Sequence, residues 1–509
     1  MRFATARFKT GDEFCAAPSR RNATARQRPR RELKNTSRNI DMMNGPIAGK
    51  LVRFAMPIAV ASILQQLFNS TDSAVAGRFV GADALAAIGG SMPVVMLLIS
   101  LFTGLAIGTN VVVAMHIGNG RRDLISDAVH TSIFVALVSG ALLLTLGIAL
   151  VGPILTLIGM PADAFDLAVV YLVIYFLGMP FAMLYNFGSA VLRSKGDTMR
   201  PLYALIVGAM LNTVLNIAFV TVLPLGVAGI GIATDIANAA SAGIVLWFLM
   251  HEEGPYRLNW RKIRPKKSEL MIILKIGAPA GLQGMVFAFS NVIIQSAINS
   301  FGAASTAGVA AALNFEFYTY FFINAFTQAA VTFVGQNYAA RQLDRCDRTF
   351  VLCMAFAMGS VVVLNTVWLT LGSTALGIFT TSEQAIRYGL ARLWTGTAFQ
   401  IIATAYELAA STMRGMGWSM TPTIITVIGS CVLRIIWVFT VFQFSPTFTT
   451  LIAVYPVSWT VTSVAMLAAF YFVRKRAYGA VDASYLKRSS EHVGIRRKVV
   501  QVLHAPGLS

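Results

Sequence analysis

Six polar residues stand on one face of the first long apolar stretch. Ser62, Gln65, Gln66, Asn69, Asp72 and Ser73 recur at steps of three or four, the spacing of a single helix face. Asp72 is the member that ionises. In a helix that crosses lipid, such a face must look into a bundle or a water-filled cavity, because an ionised group at that depth costs several kcal/mol. A carboxylate held there can take up and release a proton or a cation. A purely structural, hydrogen-bonded Asp is the competing reading.

Further polar residues cluster with it by depth. At about 1.5 Å per residue, Asp72, Asn216 and Asp235 each fall about 10 Å below the same membrane face. Two carboxylates at one depth in a low-dielectric cavity titrate as a coupled pair, which is the chemistry of a proton carrier. Asp235 near the helix mouth, and solvated, is the alternative. Two more stripes follow: Glu316, Tyr320, Asn324 and Gln328 at four-residue steps, and Gln400, Thr404, Glu407, Ser411 and Arg414 at alternating steps. Arg434 is the one cation deep in a span. An ion pair with Glu316 or Glu407 is expected to neutralise it, with direct participation in substrate or cation binding as the alternative. Gln65, Gln66, Asn186, Gln283 and Tyr320 are the expected lining of a substrate cavity. Phe287, Phe289, Tyr318 and Tyr320 either attract cations or merely pack.

The elements that position these residues follow from composition. The 509 residues are 56% hydrophobic and 12% charged, with mean hydropathy +0.67, whereas soluble domains carry about 25% charged residues. Lipid tolerates only helices or closed barrels. A helix needs about 20 apolar residues to cross, and the apolar runs here are that long, which excludes a barrel. They fall at 51–80, 86–116, 128–158, 166–192, 201–222 and 228–250, then at 272–299, 306–335, 348–378, 389–413, 422–443 and 449–473. The expected fold is an all-α integral membrane protein of twelve transmembrane helices in two pseudo-symmetric six-helix bundles.

A duplication underlies the two sets. Leu192-Arg193 through Gly196 to Pro201 matches Met413-Arg414 through Gly417 to Pro422 at an offset of 221, and Val80-Gly81-Ala82 falls on Phe301-Gly302-Ala303 at the same offset. Six helices is an even number, so both copies enter from one side and are related by an axis along the membrane normal, with the substrate path between them. Pro57 and Pro279 occupy corresponding places one residue out of register. Paired proline interruptions of this kind point to moving or binding helices, against a plain reading as two ordinary kinks.

The net charge of +19 sits at the chain ends and in short loops, notably Arg257, Arg261, Lys262, Arg264, Lys266 and Lys267 at the midpoint. Alternate loops lack Lys and Arg, so the positive-inside rule places both termini in the cytoplasm of a cell inner membrane and removes the case for a nucleic-acid partner. The expected organisation is a disordered basic tail over 1–44, bundles over 45–252 and 271–475, a linker over 253–270, and a disordered tail over 476–509. A start at Met42 or Met43 is as compatible with the sequence as one at Met1. Cys15, Cys346, Cys353 and Cys431 form no CxxC pair or metal-ligand spacing. The five histidines have no acidic or His partner at helical spacing, and no hydrolase, zincin or nucleotide motif is present. The chain is expected not to be an enzyme and to need no cofactor beyond a coupling ion, with no metal site.

Pro57, Leu64-Gln65-Gln66-Leu67, Asp72, Gly77-Arg78-Phe79-Val80-Gly81, the Leu192-Arg193-x-x-Gly196-Asp197 loop and Gly335-Gln336-Asn337, in this order, resemble the MATE family of multidrug and toxic compound extrusion transporters over about residues 43 to 475. The resemblance implies a secondary antiporter exporting bulky organic cations against a proton or sodium gradient by alternating access. It also implies that Asp72 is the acidic residue fifteen positions after the kink proline Pro57. The family's fifth-helix Asn-x-x-x-Asp reads Asn212-x-x-x-Asn216 here, and its sixth-helix Thr falls on Thr234. The fifth-helix Asp is therefore missing, and Asp235 is the expected substitute. Phe287 and Ala403 stand where the sodium-coupled NorM branch places acids, which favours proton over sodium coupling; the pattern looks nearer to the DinF-like side, with Asn216 as a departure. A second-half polar site of Glu316, Asn324, Glu407 and Arg434 keeps a cation site possible there.

The expected cycle has Asp72 take a proton as the outward-open protein releases its small, amphipathic or cationic substrate, after which α-helical bending at Pro57 and rocking of the halves follow; deprotonation resets it. The expected carrier is a monomer in the bilayer. A flippase for a lipid-linked saccharide or another amphipathic substrate is the alternative, and would require a cationic cavity. A membrane-embedded transferase would require paired Asp-rich loops, which the sequence lacks.

Overall fold

The computed structural model describes residues 39–503 and is helical throughout its spans. The first half comprises α1 (Ala48–Val75, prolonged by a π-helical turn over Ala76–Val80), α2 (Ala82–Gly118), α3 (Arg122–Leu157), the broken span α4 (Ala162–Leu177) with α5 (Met179–Ser194), α6 (Met199–Ile217, prolonged by a π-helical turn over Ala218–Val222) and α7 (Gly226–Met250). The second half comprises α8 (Lys267–Asn299), α9 (Ala303–Ala339), α10 (Leu343–Gly377) and the broken span α11 (Glu383–Gly396) with α12 (Gln400–Gly415). It ends with α13 (Met420–Thr426), a π-helical segment over Val427–Val432, α14 (Leu433–Phe439), α15 (Val441–Phe444), α16 (Phe448–Ile452) and α17 (Val454–Leu503).

Nine helical stretches among the described residues are long and apolar enough to cross a membrane alone, and α4 with α5, bent by 45°, makes a tenth. The remaining two are α9, whose polar stripe lowers its apolarity, and the α11–α12 pair, each piece being too short alone. All twelve spans read from the sequence are thus recovered, including both broken ones at the equivalent place of each half.

The duplication is written in the backbone. Gly81 and Gly302 have φ of 137° and 94°, Gly196 and Gly417 have 96° and 87°, and Gly120 and Arg341 have 68° and 61°. Each pair is 221 residues apart. Left-handed backbone favours glycine, so Arg341, the one described non-glycine residue with positive φ, keeps a turn that its counterpart makes with glycine.

The halves meet near the 253–270 linker. A Cβ added at Gly104 would strike the backbone of Gly281, and one at Gly108 would meet the backbone of Ile273 and Gly277. Small residues at four-residue spacing on both helices thus let α2 and α8 touch backbone to backbone. Thr332 donates to Asn110 (3.0 Å), Gln336 donates to the Ser194 carbonyl (2.6 Å), and His116 Nε2 meets Glu269 at 2.7 Å, all on this linker side. Among the described residues no hydrogen bond joins the halves on the opposite side. At mid-depth Gln65 stays exposed and Tyr320 is 41% exposed. Polar groups at that depth face a cavity, not lipid, so a cleft opens between the halves away from the linker.

Three expectations need correction. The 476–503 part of the expected tail is helical, since α17 continues to Leu503, carried by the same uninterrupted helix that crosses the membrane; residues 504–509 lie outside the described residues. Residues 39–44 of the expected tail are packed: Met42 is buried, its carbonyl accepts from Asn337 and Arg345, and Ile40 donates to the Gly196 carbonyl; the rest of 1–44 lies outside the described residues. Pro57 and Pro279 do not interrupt their helices, which run through both, whereas non-helical angles occur at Gly372 (φ 29°, ψ −103°) and a 45° bend breaks the span at Gly178.

Candidate functional site

The polar face of α1 brings Asp72 to a point where α6 and α7 converge. Its carboxylate is 1% exposed and accepts from Asn212 (3.2 Å) and Asn216 (2.6 Å) on one oxygen and from Thr234 (2.9 Å) on the other. Asn212 also donates to Thr234 (3.1 Å), and Asn216 donates to the Asn212 side-chain oxygen (3.1 Å). The i, i+4 spacing of Asn212 and Asn216 stacks both amides on one face of α6, and the π-helical turns that extend α1 and α6 lie directly beyond the site, where such turns are often found. No cation pairs with Asp72 among the described residues. The site is a buried carboxylate wrapped in neutral donors.

Asp235 does not join this network. Its side chain points at the break between α4 and α5, so that a Cβ on Gly178 would collide with its carboxylate, and its buried Oδ1 has no hydrogen-bond partner. Equal depth placed the two acids at one level but on different faces of the bundle. Tyr171 and Tyr175 are each within electrostatic reach of both acids. Asn69 lies one turn from Asp72 and accepts from Ser73 only through its carbonyl. Gln65 is exposed and Gln66 and Asn186 are half-buried, Asn186 donating to the Ala182 carbonyl.

The second half is built on guanidinium groups. Glu316 of α9 pairs with Arg392 of α11 at 2.7 Å, and Gln400 donates to the Glu316 carbonyl (3.2 Å). Glu407 lies near Arg414, seven positions on along α12, and near Tyr320; Arg414 donates to Gln283 at 2.7 Å. Asn324 is half-buried beside them in sequence register. The expected pairing of Arg434 with Glu316 or Glu407 is therefore overturned, because Glu316 pairs with Arg392 and the cation that acts on Glu407 is Arg414. Arg434, 1% exposed, instead donates to Ser458 (3.1 Å) and Asn291 (3.4 Å) and lies over the rings of Phe287 and Tyr455.

On the linker side, three helix ends of the first half converge on Glu252, which follows α7. Lys195 meets it at 2.5 Å and Arg200 also pairs with it and with Asp197. Burial pushes the Glu252 carboxyl up, but the hydrogen bonds and charges of Lys195 and Arg200 outweigh this and hold it below its ordinary value. Burial, and then the Glu252 charge, raise the neighbouring Tyr256 hydroxyl.

Arg392, Asn291, Tyr455 and Ser458 escaped the sequence reading, as did the pair of His116 with Glu269. Arg392 continues the α12 stripe toward the chain start, but the break at 397–399 interrupts the spacing. His116 and Glu269 lie on helices of different halves, where no spacing within one helix can announce a contact.

The MatE family profile matches this chain twice, over residues 57–218 and 279–440, each match starting at one of the paired prolines. The probable multidrug resistance protein YoeA of Bacillus subtilis is 26% identical over 391 residues, covering 74% of this chain and 82% of that protein. An FAD transporter of Shewanella oneidensis is 22% identical, covering 68% and 77%. A solved structure described as the outward-facing conformation of a multidrug resistance MATE family transporter superposes with a TM-score of 0.80 at 20% identity, over 88% of this chain and 99% of that one. The double match spans more than half of the sequence, with one copy in each structural half: the chain belongs to the MatE family, as a multi-pass membrane transporter and not an enzyme.

Proposed function

We propose that this transporter is a secondary antiporter that exports small amphipathic or cationic compounds in exchange for protons, with Asp72 as the carrier. One observation carries the reading: a carboxylate with no cation beside it, wrapped by Asn212, Asn216 and Thr234, on a helix whose neighbouring polar face reaches the cleft at Gln65 and Gln66. Neutralising such a charge by a proton relieves an electrostatic cost, and the bonds the donors make to the charged form are then lost or reversed. A ligand shifts a two-state equilibrium only through its differential affinity for the two states. Proton and substrate therefore act on the halves through α1. In this reading the linker side is cytoplasmic, and the contact of Gly104 and Gly108 with α8 is the closed inner gate. Pro57 lets α1 bend when the network rearranges. Asp235, facing the α4–α5 break, is a separate group and not the second member of a dyad.

The names of the relatives support export of drugs, and the FAD transporter among them, together with the arginines of the second half, favours export of an acidic amphiphile as a second reading. The test is efflux from proteoliposomes of a fluorescent organic cation, then an acidic dye, under an imposed proton gradient and then a sodium gradient. Proton-driven cation efflux lost in Asp72→Asn is the expected result. Sodium-driven efflux that survives Asp72→Asn overturns the coupling, and efflux of the acidic dye alone overturns the substrate class.

A further inference from the structure

Arg434 is a buried charge without a counter-charge. Guanidinium groups stay protonated in proteins, and a buried ion left unpaired costs several kcal/mol. Among the described residues its neighbours are all neutral or cationic: Ser458, Asn291, Tyr406, Cys431, the rings of Phe287 and Tyr455, and the guanidinium of Arg392, which stacks 3.7 Å over the same Tyr455 ring. Arg434 Nη2 is buried and has no hydrogen-bond partner. The single carboxylate of this cluster, Glu316, gives one oxygen to Arg392 while its other oxygen lies unpartnered against Gly396. Arg392 thus takes the carboxylate, and Arg434 has none among the described residues.

The duplication sharpens the point. The two family matches begin 222 residues apart, and Asn212 and Arg434 stand 222 apart, as do Asn69 and Asn291. Thr234 and Tyr455, like Tyr171 and Arg392, stand 221 apart. The Arg434 cluster therefore occupies, in the second half, the place that the Asp72 network occupies in the first. Asp72 itself corresponds to Ile294, which is buried. The same position in the bundle carries opposite charge in the two halves.

We propose that the second half binds a monovalent anion on Arg434, beside Arg392 and Tyr455, as the counterpart of the Asp72 site of the first half. The ligand class is a halide-sized anion or the acidic group of a larger compound. Nη2 of Arg434 supplies the unused donor, and Asn291 and Phe287 on α8 are only half-buried, so the cluster is not sealed on its α8 side. This site stands independently of the role of Asp72.

The test uses the purified full-length protein in detergent, with thermal unfolding followed at constant ionic strength in sodium gluconate into which sodium chloride is titrated. A ligand that binds only the folded state raises the midpoint with saturation, and a rise of about 3 °C or more is expected in chloride. Asn291→Asp places a carboxylate on Arg434 without changing side-chain shape; it should raise the midpoint in gluconate and abolish the response to chloride. Arg434→Gln should also abolish that response, and Asn291→Asp keeps the test decisive if Arg434→Gln fails to fold. In a second arm, acetate and a carboxylated dye replace chloride. Stabilisation by chloride alone assigns a free inorganic ion, and stabilisation by the dye that chloride competes away assigns the acidic group of a larger compound. Equal midpoints in all anions, or a chloride response of undiminished size in Asn291→Asp, overturn the proposal.

Discussion

Each half of this transporter buries an ion at the same place in its bundle, and each treats it differently. The first half surrounds Asp72 with three neutral donors from two neighbouring helices. The second half spreads arginines over aromatic rings and ties one of them to Glu316. The backbones remain alike down to paired left-handed turns, so duplication preserved the path of the chain while the chemistry of the core diverged. A carboxylate held only by neutral donors can exchange its charge with a proton at small structural cost. A salt-bridged guanidinium cluster cannot, and its members are fixed in charge.

The largest test of this contrast is Glu316→Gln. It leaves Arg392 and Arg434 without any carboxylate in their cluster, and breaking a buried pair by removing one partner costs about 3–5 kcal/mol. Unfolding of the purified protein in detergent should show a loss of that size, whereas Thr234→Val in the first half, which removes one hydrogen bond of an already uncompensated carboxylate, should cost about 1.5–3 kcal/mol. Equal losses in the two variants would break the distinction between a fixed cluster and an exchangeable one.

A smaller effect sharpens the first half alone. Asn216 makes the shortest bond to Asp72, at 2.6 Å. In Asn216→Ala the carboxylate keeps Asn212 and Thr234 but loses a donor to its charged form, and hydrogen bonds to charged groups contribute about 1.5–3 kcal/mol. Gradient-driven efflux should fall about tenfold or more, and unfolding should show a loss of the same size as in Thr234→Val. The matching change at Asp235, Asp235→Asn, should leave efflux within about twofold of wild type, because no hydrogen bond links it to Asp72 and a twofold rate change is only about 0.4 kcal/mol. Loss of efflux in Asp235→Asn would restore the two acids to one coupled unit.

Much of this site was legible in the sequence because its logic is periodic. The stripe on α1 and the i, i+4 pair Asn212 and Asn216 follow helical spacing, and the offset of 221 aligns the halves. Distance from a helix end fixes depth but not azimuth, which is why Asp235 was expected beside Asp72 and instead meets Gly178. The partner of Arg434 was misjudged for a related reason. Glu316 was free to pair on paper, but Arg392 reaches it first across a broken span whose spacing hides it. Contacts between halves, such as His116 with Glu269, depend on how two bundles dock. No periodicity within one helix encodes them.

The smallest expected effect concerns the linker side, where the halves differ again. Glu252 ties the ends of α5, α6 and α7 through Lys195 and Arg200 and is 7% exposed, while in the second half Asp347 holds Arg474 and Tyr478 between α10 and α17 in a pair more than a third exposed. A carboxyl whose folded value lies below its ordinary one stabilises the fold above the ordinary value, 4.5 for Glu252, and loses that contribution as pH falls through the lower, folded value. The midpoint of thermal unfolding should therefore fall as pH drops below about 4.5, and Glu252→Gln should lower the midpoint at pH 7 while flattening the acid limb. Screening by 0.5 M salt should weaken the contribution of the exposed Arg474 pair more than that of the buried Glu252 cluster. An acid limb unchanged in Glu252→Gln would mean that the three helix ends are held by packing, with their charges incidental.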